Sequence, residues 1–192
     1  MHPTTEGTFR VYPGRSSDEW LLLEVNAADP TYVASEDVEG TLEVGNRLEG
    51  TIEWVDEVPR LQAFDTVEPT RFHFLRTDAP TFQAAQTCFD EARRAGDAMN
   101  ASVTRDTDGR PNGVLYTFAE QAGQRDLFAE FRDGEKPLEP LVARAAETAS
   151  PPFSVWVLDV SEPFVLVTIV LNPDGLFEET MRETYLETET KS

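Results

Sequence analysis

The sequence predicts an α+β protein in two parts: a small β-barrel over residues 1–76, then an α+β domain over 77–192 with antiparallel strand pairs and three to four helices. Three observations predict it. Up to residue 76, apolar side chains recur at every second position in short runs separated by turn residues. From residue 77 the recurrence moves to every third or fourth position, the helical period. The most apolar segment, residues 155–171, is two runs split by Ser161-Glu162-Pro163, the pattern of a buried strand pair.

The elements follow in order. Gly7–Tyr12 alternates, with Phe9 and Val11 on one face and Arg10 and Tyr12 on the other. Pro13-Gly14 and Ser16-Ser17-Asp18 carry turn chemistry, and Trp20–Val25 follows as a buried strand. A short extended piece, Thr31–Ala34, precedes Arg47–Val55, whose Leu48, Gly50, Ile52 and Trp54 share a face. Val58–Val67 and Arg71–Leu75 complete the set, the last with Phe72 and Phe74 inward and Arg71 and His73 outward. Five or six strands without a helix predict a closed or half-closed barrel. Phe82, Ala85, Phe89, Ala92 and Met99 then predict a long amphipathic helix over Pro80–Asn100. Val103–Arg105 and Val114–Phe118 read as a hairpin, Gln124–Phe131 as a short helix ended at Asp133-Gly134, and Pro137–Glu147 as another. After the strand pair, Asn172-Pro173 opens a last helix to about Leu186, with Leu176, Phe177, Thr180, Met181 and Tyr185 as its apolar stripe.

Composition narrows the function. The 192 residues carry 36 acidic and 16 basic side chains, a net charge of -20, and only Lys136 and Lys191 are lysines. Isoleucine is equally rare, at Ile52 and Ile169, and this pairing of Arg for Lys with Val for Ile is the bias of a GC-rich genome. The carboxylates are spread evenly: residues 1–77 hold 15 acids and 6 bases, residues 78–192 hold 21 and 10. An acidic binding tail would concentrate them, so the charge reads as adaptation to concentrated salt, whose Debye length is about 3 Å at 1 M. No apolar run approaches the roughly 20 residues that cross a bilayer, and the first residues lack the basic and apolar regions of a signal peptide. With the lone Cys88, this gives the expectation of a cytoplasmic protein.

One stretch departs from the acidic pattern. Residues 71–110 hold six arginines (Arg71, Arg76, Arg93, Arg94, Arg105, Arg110) and six acids (Asp78, Asp90, Glu91, Asp97, Asp106, Asp108), so they carry none of the net charge. Two readings stand open. The arginines form a docking face for an anionic partner, since a guanidinium grips phosphate and carboxylate through a planar fork; or they pair with the acids beside them. Within the stretch, Asn100, Thr104, Arg105, Asp106, Asp108, Arg110 and Asn112 crowd into a polar segment, a candidate ligand site at the junction of the two parts. Asp106-Thr107-Asp108-Gly109 echoes the start of a calcium loop but lacks its later ligands, and the same residues suit a plain turn. No metal, cofactor or catalytic residue is expected. Cys88 and His73 have no partners nearby in sequence, and neither a GK[ST] nor a GxGxxG frame occurs. Tyr12 and Tyr32, with Arg10, Arg15, Arg47 and Arg60 as cations, offer surfaces on which a base could stack.

The segments GTFRVYPG, GNRLEGTIEWVDEVPRL, AMNASVTRDTDGRPNGVLYTFAEQ and RDLFAEFRDGEKPLEPLV resemble an uncharacterised family of halophilic archaea, across essentially the whole chain. The resemblance implies a halophilic origin and transfers no activity. More loosely, the first part is similar to small barrels of the OB and ribosomal-S1 type, a likeness of fold alone. The expected function is a non-enzymatic binding protein whose partner is RNA or a ribonucleoprotein, held by Arg71, Arg93, Arg94, Arg105 and Arg110. The alternatives are an enzyme or small-ligand binder with its site at residues 99–113, and an adaptor or homodimer joined through the strands of residues 155–171.

Overall fold

A computed structural model of the chain describes residues 2–38, 40–120 and 126–186. Strands β1 (Thr4–Pro13), β2 (Glu19–Glu24), β3 (Pro30–Ala34), β4 (Arg47–Val55) and β5 (Val58–Glu68) form an antiparallel sheet in the order β3-β2-β1-β4-β5. The alternation of the sequence places Phe9, Val11, Leu22, Leu48, Ile52 and Leu61 on its concave face, where they make one core. The sheet curls until β3 and β5 lie near each other, yet the two do not pair. The expected barrel therefore stays open.

It stays open because the sixth strand is taken elsewhere. β6 (Arg71–Arg76) runs parallel to β9 (Ser154–Asp159) at the edge of a second sheet, with β10 (Phe164–Val170), β8 (Pro111–Ala119) and β7 (Met99–Arg105) following in the order β6-β9-β10-β8-β7. Both faces of this sheet are covered. On one side, Tyr12, Leu21 and Leu23 from the convex face of the first sheet pack with Phe72, Val155, Val157 and Val167, joined by α2 (Leu127–Arg132) and α3 (Glu139–Ala145). On the other, α1 (Gln83–Ala95) and α4 (Leu176–Met181) cover Trp156, Leu158, Leu166 and Leu115. Burial on both faces accounts for the near-continuous apolar runs of β9 and β10. It also corrects the orientation expected for His73: the outward face of β6 is itself a covered face, and His73 stacks on Trp156 at 4.1 Å between ring centres.

The two sheets are tied by buried polar groups as well as by core. Arg10 is fully buried and its guanidinium donates to Glu68 at 2.6 Å, to Glu139 at the start of α3, and to the carbonyl of Gly45 at 2.9 Å. A buried arginine is tolerated only when such partners replace its hydration. Gly45, at φ 101°, lies where the chain crosses β6; a Cβ there would stand 2.3 Å from the Phe72 nitrogen, so no other residue fits. The Tyr12 hydroxyl accepts the Leu138 backbone N–H at 3.2 Å, and burial with Glu139 nearby pushes that phenol's pKa up.

Two helices are shorter than their periodicity predicts. Gly96 adopts the left-handed conformation (φ 76°) and closes α1 with N–H bonds to the carbonyls of Ala92 and Arg93, so Met99 belongs to β7 and is 44% exposed. The last helix starts at Leu176, which is 77% exposed, and continues as a π-helical turn over Arg182–Leu186. Gln124 and Arg125 of the expected helix at 124–131 and the acidic end at 187–192 lie outside the described residues. No described helix is long and apolar enough to cross a membrane.

Candidate functional site

The parallel pairing of β6 with β9 aligns Arg71 with Ser154 and Arg76 with Asp159. The antiparallel ladders then place Val170, Gly113 and Thr104 at the Ser154 end of the sheet, and Phe164, Ala119 and Met99 at the Asp159 end. At the Ser154 end, the segment entering β9 and the segment leaving β10 part before α4 crosses over them. The gap is a pocket of about 580 Å³ walled by Phe153, Leu171 and Pro152, with Arg71 and Arg182 at its polar side and Asn172 and Asp174 at its rim. Its size falls in the usual range for small-ligand sites, about 300–1,000 Å³.

A buried carboxylate organises this polar side. Glu178 on α4 is 2% exposed. Its Oε1 accepts from the Ser154 hydroxyl at 2.8 Å and forms an ion pair with Arg182 Nε at 3.3 Å, and its Oε2 accepts from Trp156 Nε1 at 3.3 Å. Two hydrogen bonds from β9 and one ion pair from the turn after α4 hold Glu178, and Glu178 in turn holds Arg182 by Nε, leaving the guanidinium's terminal nitrogens directed away from that contact. Arg71 is held the same way, through Nε to Glu43 at 2.8 Å. Both arginines are half-exposed, with side-chain exposures of 52% and 41%. A pair of cations fixed at one nitrogen and open at the others is suited to a carboxylate or phosphate.

Behind the arginines lies an apolar region with three unsatisfied polar atoms. His73 Nε2, Thr168 Oγ1 and the Tyr185 hydroxyl are buried and have no hydrogen-bond partner among the described residues. All three border Trp156: His73 stacks on it, Thr168 is its register partner on β10, and the Tyr185 ring centre lies 6.4 Å away. Buried polar groups are seldom left unpaired, so three around one indole ring stand out among the described residues. Burial, reinforced by the positive charges of Arg182 and Arg71, lowers the His73 pKa to about 4, so the imidazole is neutral at physiological pH.

Of the residues singled out by sequence, only Arg71 lines this pocket. Arg93 and Arg94 stand in the last turn of α1, which runs into β7 at the Asp159 end. Arg105 and Arg110 flank the β7–β8 turn at the Ser154 end but on the far edge, four strand spacings or roughly 19 Å from β6. The five arginines thus occupy three separate places. Nor do the six arginines of the neutral stretch pair with its acids: Arg71 binds Glu43, Arg76 binds Asp126 and Asp159, and the other four make no ion pair among the described residues. The polar segment at 99–113 is a hairpin. Asp106 Oδ1 accepts the N–H groups of Asp108 and Arg110, Arg105 donates to the Gly109 carbonyl, Thr104 donates to Asn112 at 2.6 Å, and Asn100 ties β7 to the Cys88 carbonyl. Asp106 and Asp108 therefore serve a turn, and no described group of three or more His, Cys, Asp or Glu is placed to hold a metal.

Of the side chains expected to stack bases, four are engaged within the chain. Arg10 and Tyr12 are buried, and Arg15 lies 4.0 Å over the Tyr32 ring. Cys88 is buried against the Thr117 hydroxyl at 3.7 Å, and burial raises its thiol pKa, which disfavours a nucleophile. β9 and β10 are interior strands paired on both sides, so the free edge expected between residues 155 and 171 does not exist. The residues that reading the sequence missed are Ser154, Glu178 and Arg182. One signal was present: Glu178 shares the spacing of Met181 and Tyr185, an acid on a buried helical stripe.

No curated protein matches the chain. A family model does match, over residues 1–190, and its description is a family of unknown function, DUF6663. A match that spans both sheets and all four described α-helices makes the chain a member of the DUF6663 family.

Proposed function

We propose that the protein binds a small molecule with a carboxylate or phosphate group on an apolar body, in the pocket at the Ser154 end of the second sheet. The observation that carries this is the pair of fixed guanidiniums, Arg71 and Arg182, lining one half-open pocket together with Phe153, Pro152 and Leu171. The anion would bridge the terminal nitrogens of the two arginines, and Phe153, Pro152 and Leu171 would cover the apolar part. This keeps the anionic partner expected from the arginines and narrows it. An extended polymer such as RNA calls for a continuous basic track, and Arg71 is set apart from Arg93, Arg94, Arg105 and Arg110.

Thermal shift with inorganic phosphate, a nucleoside monophosphate and an aryl carboxylate tests the proposal. A ligand of the native state raises the melting temperature by mass action. At least one probe is expected to do so for the native protein, with affinity falling tenfold or more in Arg71→Ala, a half-exposed position whose loss leaves the core intact. An equal shift in Arg71→Ala, or none with any anion, sinks the proposal. The charge of -20 supports a halophile's cytoplasm as the setting, so each titration is run at low and at molar KCl. A melting temperature that falls as KCl is added would count against that setting.

A further inference from the structure

We infer that β7 is a self-association interface, at which two copies of the chain pair edge to edge and antiparallel around a two-fold axis beside Ser102. Two sheets have four edges, and three of them are guarded. β3 and β5 face each other across the curl of the first sheet. The outer edge of β6 meets the segment before β4, where the Phe72 N–H donates to the Val44 carbonyl at 2.9 Å. The outer edge of β7 has no backbone partner among the described residues. The Ala119 N–H donates to the Ala98 carbonyl, so the backbone groups of 98, 100, 102 and 104 turn toward β8, and those of Met99, Ala101 and Val103 turn outward. Natural edge strands are blunted by proline, charge or a bulge; β7 (MNASVTR) carries such features only at its turn end, in Arg105 and the register shift beside it, and Met99 and Val103 are 44% and 49% exposed.

Charge names the occupant. Two copies of a chain carrying -20 repel each other through most approaches, and the one stretch without net charge, residues 71–110, contains β7 and both of its flanks. One flank, at the Asp159 end, holds Arg93, Arg94 and Asp97; the other, at the turn, holds Arg105, Asp106, Asp108 and Arg110. None of these four arginines makes an ion pair within the described chain. An antiparallel pair sets Ala101 opposite the partner's Val103 and brings each flank beside the other flank of the second copy, Arg93 and Arg94 beside the partner's Asp108. An isologous contact of this kind closes on itself, so the product is a dimer with one continuous ten-stranded sheet. The inference is independent of the anion pocket, which opens at the other edge of the sheet.

Sedimentation equilibrium over a dilution series, at low and at molar KCl, tests it. The expected species has twice the 21.5 kDa chain mass. Val103→Lys, a half-exposed position on the free edge, is expected to weaken association at least tenfold with circular dichroism unchanged, while Val67→Lys, equally exposed on β5, leaves it as it was. A native protein monomeric at all concentrations overturns the inference. So does a Val103→Lys dimer as tight as the native one, or a heavier particle whose ultraviolet spectrum shows that the added mass is nucleic acid.

Discussion

At the scale of single residues, the chain is organised by charged and polar groups placed where apolar ones would pack more simply. Arg10 between Glu68 and Glu139, and Glu178 among Ser154, Trp156 and Arg182, are each saturated with partners. His73 is not, and its pKa of about 4 links it to stability. The unfolded histidine titrates near 6.5, so between pH 6.5 and 4 the unfolded chain takes up a proton that the folded chain refuses. Stability from this group is therefore whole above pH 6.5 and falls as the pH drops toward 4, by up to about 3 kcal/mol. His73→Phe, which keeps the stack on Trp156, is expected to flatten that part of the unfolding free-energy profile measured with urea at pH 7, 5.5 and 4.5. A slope identical to that of the native protein would mean that the imidazole protonates freely in the fold. His73 and Glu178 also mark the limit of reading residues one by one. His73 looked outward because alternation reports two faces and cannot say that both are covered; Glu178 lay on a stripe whose apolar members were noticed instead.

At the scale of elements, the strands were largely legible. β4 begins and ends at the residues the alternation predicts, and β9 and β10 appear where the apolar runs stand. The helices were less so, because helical spacing does not end where a helix ends: the capping glycine, Gly96, stops α1 at Ala95, five residues before Asn100, even though Met99 fits the period. What a strand pairs with is less legible still, since β6 has the alternation of its neighbours and only its partner, β9, distinguishes it. The β4–β5 hairpin carries a different tension. Its two-residue turn, Asp56-Glu57, has φ of 52° and 68°, a mirror-image turn that asparagine and glycine adopt readily and glutamate does not. The four pairs beside the turn, from Val55–Val58 to Ile52–Leu61, keep a regular register, so the ladder imposes the conformation. Glu57→Gly is expected to stabilise the protein by about 1 kcal/mol, since glycine relieves a left-handed conformation costing roughly that much. Chemical denaturation with an unchanged m-value checks it; a loss of stability would show that the Glu57 side chain makes a contribution beyond its backbone.

At the scale of the molecule, the sequence divides more readily than the fold. The change of period near residue 77 is real, and β6 ends at Arg76, yet the largest core runs across that division. Tyr12, Leu21 and Leu23 of the first sheet are buried against Val155, Val157 and Val167 of the second, and each such side chain contributes about 1.5–3 kcal/mol when fully buried. A fragment of residues 1–76 would expose these three together with Phe72, would leave β6 without β9, and would leave Arg10 with Glu68 but without Glu139. Against this loss it keeps only the core inside the curled sheet, around Phe9, Leu48 and Ile52, in a chain of a size that is marginal even when well packed. The expected outcome is one cooperative thermal transition for the whole chain and none for the fragment, followed by circular dichroism at molar salt so that charge repulsion is screened in both. A fragment that unfolds cooperatively would make the curled sheet a domain in its own right, and the contact between the sheets an interface between domains.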